Sequence, residues 1–98
     1  MTPPRLQRYA NRHGDSGVTA WSIHAETLSV EFGYGAVYVY AARELGADTF
    51  LALCTAARVG HGLATAISRD VGDRYAARFE DRVQWTRAVA QTSAPSKR

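Results

Sequence analysis

Arg74, Arg78 and Arg82 recur every four residues, and Trp85 follows the last by three. On a helix that spacing lines the guanidinium groups into one stripe with an indole at its end. Planar guanidinium forks match phosphate oxygens, and an indole offers a face on which a base can stack. The same cations can also pair locally, Arg74 with Asp70 and Arg78 with Asp81, for a few tenths of a kcal/mol each. Asp73 and Glu80 fall on another face of such a helix, so neutralisation would be partial. A second basic group, Arg5, Arg8 and Arg12 with Tyr9 among them, stands near the start of the chain and could follow a phosphate backbone. Tyr38 and Tyr40 are two apart, which places both rings on one face of a strand. Such rings either stack bases, at roughly 1–3 kcal/mol each, or pack beneath helices with their hydroxyls at the rim.

Catalytic chemistry finds little purchase. Gly14-Asp15-Ser16-Gly17 echoes the serine loop of chymotrypsin-like proteases, but that machinery needs a His and an Asp brought together by two barrels, and 98 residues are too few. His13, His24 and His61 have no metal-ligand spacing, and Cys54 is the single cysteine. No glycine-rich phosphate loop follows a strand, and no nucleophile has a base and an orienting partner. The expectation is a non-catalytic protein with no cofactor and no metal.

The elements that must position these residues follow from periodicity. Residues 1–14, with Pro3 and Pro4, read as a flexible basic arm. Residues 18–40 alternate with period two: Trp21, Ile23 and Ala25 share one face, as do Leu28, Val30 and Phe32, opposite Ser22, His24, Ser29 and Glu31. A two-residue turn at Glu26-Thr27 would set Ile23 opposite Val30 and Trp21 opposite Phe32. Gly33-Tyr34-Gly35 is the next turn, since glycine supplies positive φ. A three-residue loop there pairs Val30 with Tyr38 and Leu28 with Tyr40, turning both tyrosines toward the core; a loop of two or four residues would display them. Residues 48–59 read as a helix capped by Asp48 and ended by Gly60, with Phe50, Cys54 and Ala57 as its apolar stripe. A second helix runs from Leu63 through Ile67 to Val71, and a third from Asp73 to Gln91, where Val71, Tyr75, Phe79 and Val83 step by four. Residues 92–98 read as a disordered tail.

Composition agrees with one domain. Hydrophobic residues are 46% and charged residues 21% of the chain, ordinary for a globular protein. No apolar run approaches the ~18 residues of a membrane span. The net charge of +3 is unevenly spread: residues 1–14 carry +3, residues 15–57 carry −4 and residues 58–98 carry +4. A lone cysteine and no visible secretory signal predict a cytoplasmic setting.

Residues 18–79 resemble the KTSC domain, a small domain found at the C-terminus of some lysyl-tRNA synthetases and in stand-alone small bacterial proteins. The resemblance lies in the strand Leu28-Ser-Val-Glu-Phe32, the glycine turn, the central Tyr38-Val39-Tyr40, the helix after it, and Gly62-Leu-Ala-Thr-Ala-Ile67. In the family the residue between the tyrosines varies and is often polar, which implies tyrosines facing inward. The family often has Asn three residues before the Ile; Ala64 stands there in this chain, so any role of that Asn is unavailable. The synthetase context implies RNA as a ligand by association.

Together these observations predict an α+β fold: a three-stranded antiparallel β-meander followed by two or three helices packed on one sheet face, over residues 15–91. The expected partner is RNA or DNA, held by Arg74, Arg78, Arg82, Trp85, Arg5, Arg8 and Arg12. The alternative is a protein partner or homodimer formed through open sheet edges. No membrane association is expected.

Overall fold

The computed structural model describes residues 5–11 and 17–93, with side chains as far as Val89. It is α+β, as expected, but among the described residues the sheet has five antiparallel strands in sequence order. These are β1 (Gln7–Arg8), β2 (Val18–His24), β3 (Thr27–Phe32), β4 (Val37–Ala41) and β5 (Ala77–Phe79). The helices are α1 (Ala42–Leu45), α2 (Ala47–Val59), α3 (Leu63–Ala66), which continues as a π-helical turn over Ile67–Val71, and α4 (Arg82–Ser93).

The central meander forms because β2, β3 and β4 alternate in register. The β2–β3 turn is Ala25-Glu26, with Ala25 at φ +54°, and the Thr27 hydroxyl donates to the His24 carbonyl at 2.7 Å. Ile23 therefore faces Leu28 and Trp21 faces Val30, a register two residues from that expected. A slip of two preserves every face, so the inward set is unchanged. An irregularity between Val18 and Ala20 buries both, one on each face. The β3–β4 connection is the three-residue turn Gly33-Tyr34-Gly35, and it pairs Val30 with Tyr38 and Leu28 with Tyr40 as read from the sequence.

The inward face carries Leu28, Val30 and Tyr40, and α2, α3 and the π-helical turn cover it with Phe50, Leu53, Cys54, Ala57, Leu63, Ile67 and Val71. Gly60 ends α2 at φ +81°. Asp48 makes no side-chain cap; Gly46 is the residue before the helix, and Asp48 sits in the first turn, where a carboxylate favours the positive helix end.

Three expectations are corrected. Residues 5–11 are not a free arm. β1 pairs with β2, the Tyr9 ring is buried in the core, and its hydroxyl accepts the Leu63 amide at 3.2 Å. Their backbone also runs so close to Gly60 that a Cβ there would stand 2.4 Å from the Ala10 Cβ. The helix expected over Asp73–Gln91 starts nine residues later and runs on through residues 92–93, so the tail expected from 92 is outside the described residues only from 94. Gly72, at φ +60° and ψ −121°, breaks the chain away from helix, and Ala77–Phe79 pair with Val37–Val39 instead. A three-residue strand is too short to show its own period, so the step of four from Val71 to Val83 imitated a helix. Lastly, the helices do not share one face. The outward face, with Ser22, Ser29, Val37 and Val39, lies beneath α4, whose Trp85 is 2% exposed.

Tyr9→Ala is expected to lower unfolding stability by about 3 kcal/mol or more, as loss of a core ring does. Urea denaturation checks this; a change within about 0.5 kcal/mol, typical of surface positions, would return the segment to a free arm.

Candidate nucleic-acid interface

The turn Gly33-Tyr34-Gly35 carries Tyr34 out from the sheet end, where it is 70% exposed. Its ring stacks on Phe32 with centroids 5.8 Å apart and planes at 14°. Phe32 in turn meets Tyr38 edge to face at 5.4 Å, and Tyr38 meets Tyr75 at 4.9 Å. Tyr75, 37% exposed, comes from the segment between the π-helical turn and β5. Four rings thus gather at the rim of the inward face, beyond the reach of the helices that bury Tyr40.

Arg78 completes the cluster. It faces Tyr38 across β4 and β5, so the two side chains project to the same side. Its guanidinium carbon lies 5.6 Å from the Tyr38 ring centroid, a cation–π distance, and its Nε donates to the Tyr38 hydroxyl at 3.2 Å. The Tyr34 hydroxyl donates to the same oxygen at 3.2 Å. These two donors hold the Tyr38 phenol below its ordinary pKa, the Tyr34 bond first. Donating that bond raises Tyr34. Burial raises Tyr40. The carboxylate nearest Arg78 is Glu80, at 3.8 Å and largely exposed, a pair that solvent screens heavily.

The proposed arginine stripe does not form on one helix. Arg74 lies in a connecting segment and donates to the Asp70 carbonyl at 3.0 Å. Arg78 is on β5, and Arg82 is the first residue of α4. Arg82 sits on the opposite side of the sheet, where Nε and Nη2 grip Glu31 at 2.9 and 2.7 Å. Thr19 adds a 2.7 Å hydroxyl bond to the same carboxylate. Trp85 is no stacking surface: it is buried, and its Nε1 donates to Ser29 Oγ at 2.8 Å. Arg5 and Arg8 are exposed on the far edge of the sheet, and Arg12 lies outside the described residues. Of the residues carrying the KTSC resemblance, Tyr40 and Ile67 are core, Gly62 takes φ +83° ahead of α3, and Phe32 and Tyr38 reach the rim. The structure therefore separates the six described positions of the seven proposed from sequence, and keeps Arg78 beside a set of rings that sequence reasoning did not join.

Phe32, Tyr34 and Tyr75 were the residues missed. The odd-length turn was a signal for Tyr34, since a residue at its tip has no strand face to bury against. Tyr75 had no such signal once it was assigned to a helix. Among the described residues no group of three His, Cys, Asp or Glu could hold a metal ion, and the Cys54 thiol is buried, which raises its pKa. No helix among the described residues is long and apolar enough to cross a membrane. No family model matches the chain, and no curated protein or solved structure is found to be similar to it.

The Glu31–Arg82 pair sets a pH dependence. Its bonds to Arg82 hold Glu31 below the ordinary carboxylate pKa, so it contributes stability above the unfolded value, near 4.3, and loses it as pH falls through the lower folded value. Arg82 is 55% exposed, which limits the contribution to about 1 kcal/mol. Glu31→Gln should therefore lower stability by about that amount at pH 7 and flatten its decline below pH ~4.5, measured by urea denaturation across pH. An unchanged acid limb would remove the pair from the account.

Proposed function

We propose that the chain is a non-catalytic module that holds single-stranded nucleic acid, RNA first, on the Phe32–Tyr34–Tyr38–Tyr75 rings with Arg78 at their edge. The observation that carries this reading is the exposed Tyr34 ring stacked on Phe32 while Arg78 lies against Tyr38. Sheet-borne aromatics next to a cation accept bases by stacking and phosphate by charge, with little demand on sequence. The excess of cations over the whole chain favours a polyanion. Resemblance to the KTSC domain, with its synthetase setting, supports the same ligand class. The reading also places the module in the cytoplasm, where Cys54 stays a thiol.

Protein association through strand addition is the alternative, and the sheet edges give it less support. Both edge strands are short, β1 with two residues and β5 with three, which is how natural sheets limit edge pairing.

Anisotropy titration of labelled single-stranded RNA at low salt tests the proposal. Binding at or below ~10 μM is expected, within the non-specific range. Tyr34→Ala or Tyr38→Ala should weaken it by roughly 5- to 150-fold, the equivalent of ~1–3 kcal/mol per stacked base. Arg78→Ala should reduce the slope of log K against log salt by about 0.7. Absence of binding at ~10 μM, or equal affinity in both tyrosine variants, contradicts it.

A further inference from the structure

The face of the sheet under α4 is incompletely filled. Beyond Trp85, the second half of α4 stands over the β2–β3 hairpin and β5 across a cavity of about 240 Å3. Its described walls are mostly apolar, with Val39 and Phe79 from the strands and the Trp85 ring and Ala88 from the helix, while His24, Thr27 and Ser29 border it from the hairpin. The space has a sequence origin. Ala88 lies one turn along the helix from Trp85, on the same side, and Ala77 shares the outward face of β5 with Phe79. Two alanines stand where larger side chains would close the gap.

One buried polar group faces the space. Ser29 is buried at the cavity wall, and its Oγ accepts the Trp85 indole N–H. A hydroxyl has one donor and two acceptor sites, and buried donors in folded proteins normally find partners. The Thr27 hydroxyl, which also lines the space, is committed to the His24 carbonyl. The third polar neighbour of the space is His24.

We propose that this cavity binds an uncharged, one-ring apolar molecule whose single hydrogen-bond acceptor takes the Ser29 proton. Size sets the ring count. A cavity of ~150 Å3 lined by apolar side chains holds benzene, whereas drug-sized ligands occupy sites of roughly 300–1,000 Å3. Charge is disfavoured because, among the described residues, no Asp, Glu, Lys or Arg lines the space, His24 being its one titratable neighbour, and an unpaired buried charge is costly. The site is on the sheet face opposite the aromatic rim, so it stands or falls independently of nucleic-acid binding.

The test is titration of the 15N-labelled full chain with acetophenone and, separately, with ethylbenzene, which has nearly the same shape and no acceptor. The Trp85 indole N–H signal reports directly on the site, and the Trp21 indole serves as an internal control. Acetophenone should shift the Trp85 signal saturably, with a Kd of about 1 mM or tighter, and leave Trp21 in place. Ethylbenzene should bind at least threefold more weakly, and Ser29→Ala should remove that difference. Ala88→Leu should abolish saturation by both; if that variant loses its dispersed spectrum, Ala77→Leu blocks the same space from the strand side. No saturable shift, a shift that survives the blocking variant that folds, or equal affinity for the two probes in the unaltered chain would overturn the proposal.

Discussion

The turn Gly33-Tyr34-Gly35 fixes the parity of the sheet, and most of the structure depends on that parity. With three residues in the loop, Leu28 meets Tyr40 and Val30 meets Tyr38, so one face collects large apolar side chains and the other collects serines and valines. A change of one residue in loop length would send Tyr40 outward and bring Val39 in. The helices α2 and α3 cover the first face, which offers Leu28, Val30 and the Tyr40 ring to bury. The second face, with Ser29 and Val39, is shallower and takes a single large group, Trp85. Its indole N–H reaches the Ser29 hydroxyl, which satisfies a donor that would otherwise be costly to bury.

The same parity creates the exposed rim. Tyr38 and Tyr40 project to one side, but the helical cover ends between them, so Tyr40 is core and Tyr38 is boundary. Adding β5 brings Arg78 beside Tyr38 and leads Tyr75 over its ring. Because Tyr34 sits at the turn tip, its hydroxyl can return to Tyr38 while its ring remains in solvent. The resulting group of rings includes one guanidinium whose carboxylate neighbour, Glu80, neutralises it only weakly. Arg82 differs in kind: Glu31 and Thr19 occupy it, and its role is to hold the first turn of α4 against the sheet.

How much of this was legible in the sequence varies with the range of the interactions involved. The meander was legible because alternation over Trp21–Phe32 is a local signal and the glycine turn sets its own length. The Ala25-Glu26 turn was misplaced by one position, since neither it nor Glu26-Thr27 has favoured turn residues and both preserve the buried set. β1 was hidden because two residues show no period; Tyr9 is held by Leu63, 54 positions away. β5 was hidden for the same reason, and the four-residue steps of Val71, Tyr75, Phe79 and Val83 gave a stronger but false helical pattern. That one error made the arginine stripe appear and concealed the site that includes Arg78. Glu31–Arg82 and Ser29–Trp85 are likewise long-range pairs without a spacing rule.

The central claim is that the rim rings, and not the basic chain segments, receive the ligand. Aromatic 1H–13C correlation spectra of the full chain, recorded while single-stranded oligouridine is added, test this most directly. The account predicts saturable upfield shifts of the Tyr34 and Tyr38 ring protons, as stacking against a base produces, with Tyr9 and Tyr40 unmoved. Binding that shifts signals of Arg5 and Arg8 while every tyrosine ring stays in place would contradict it.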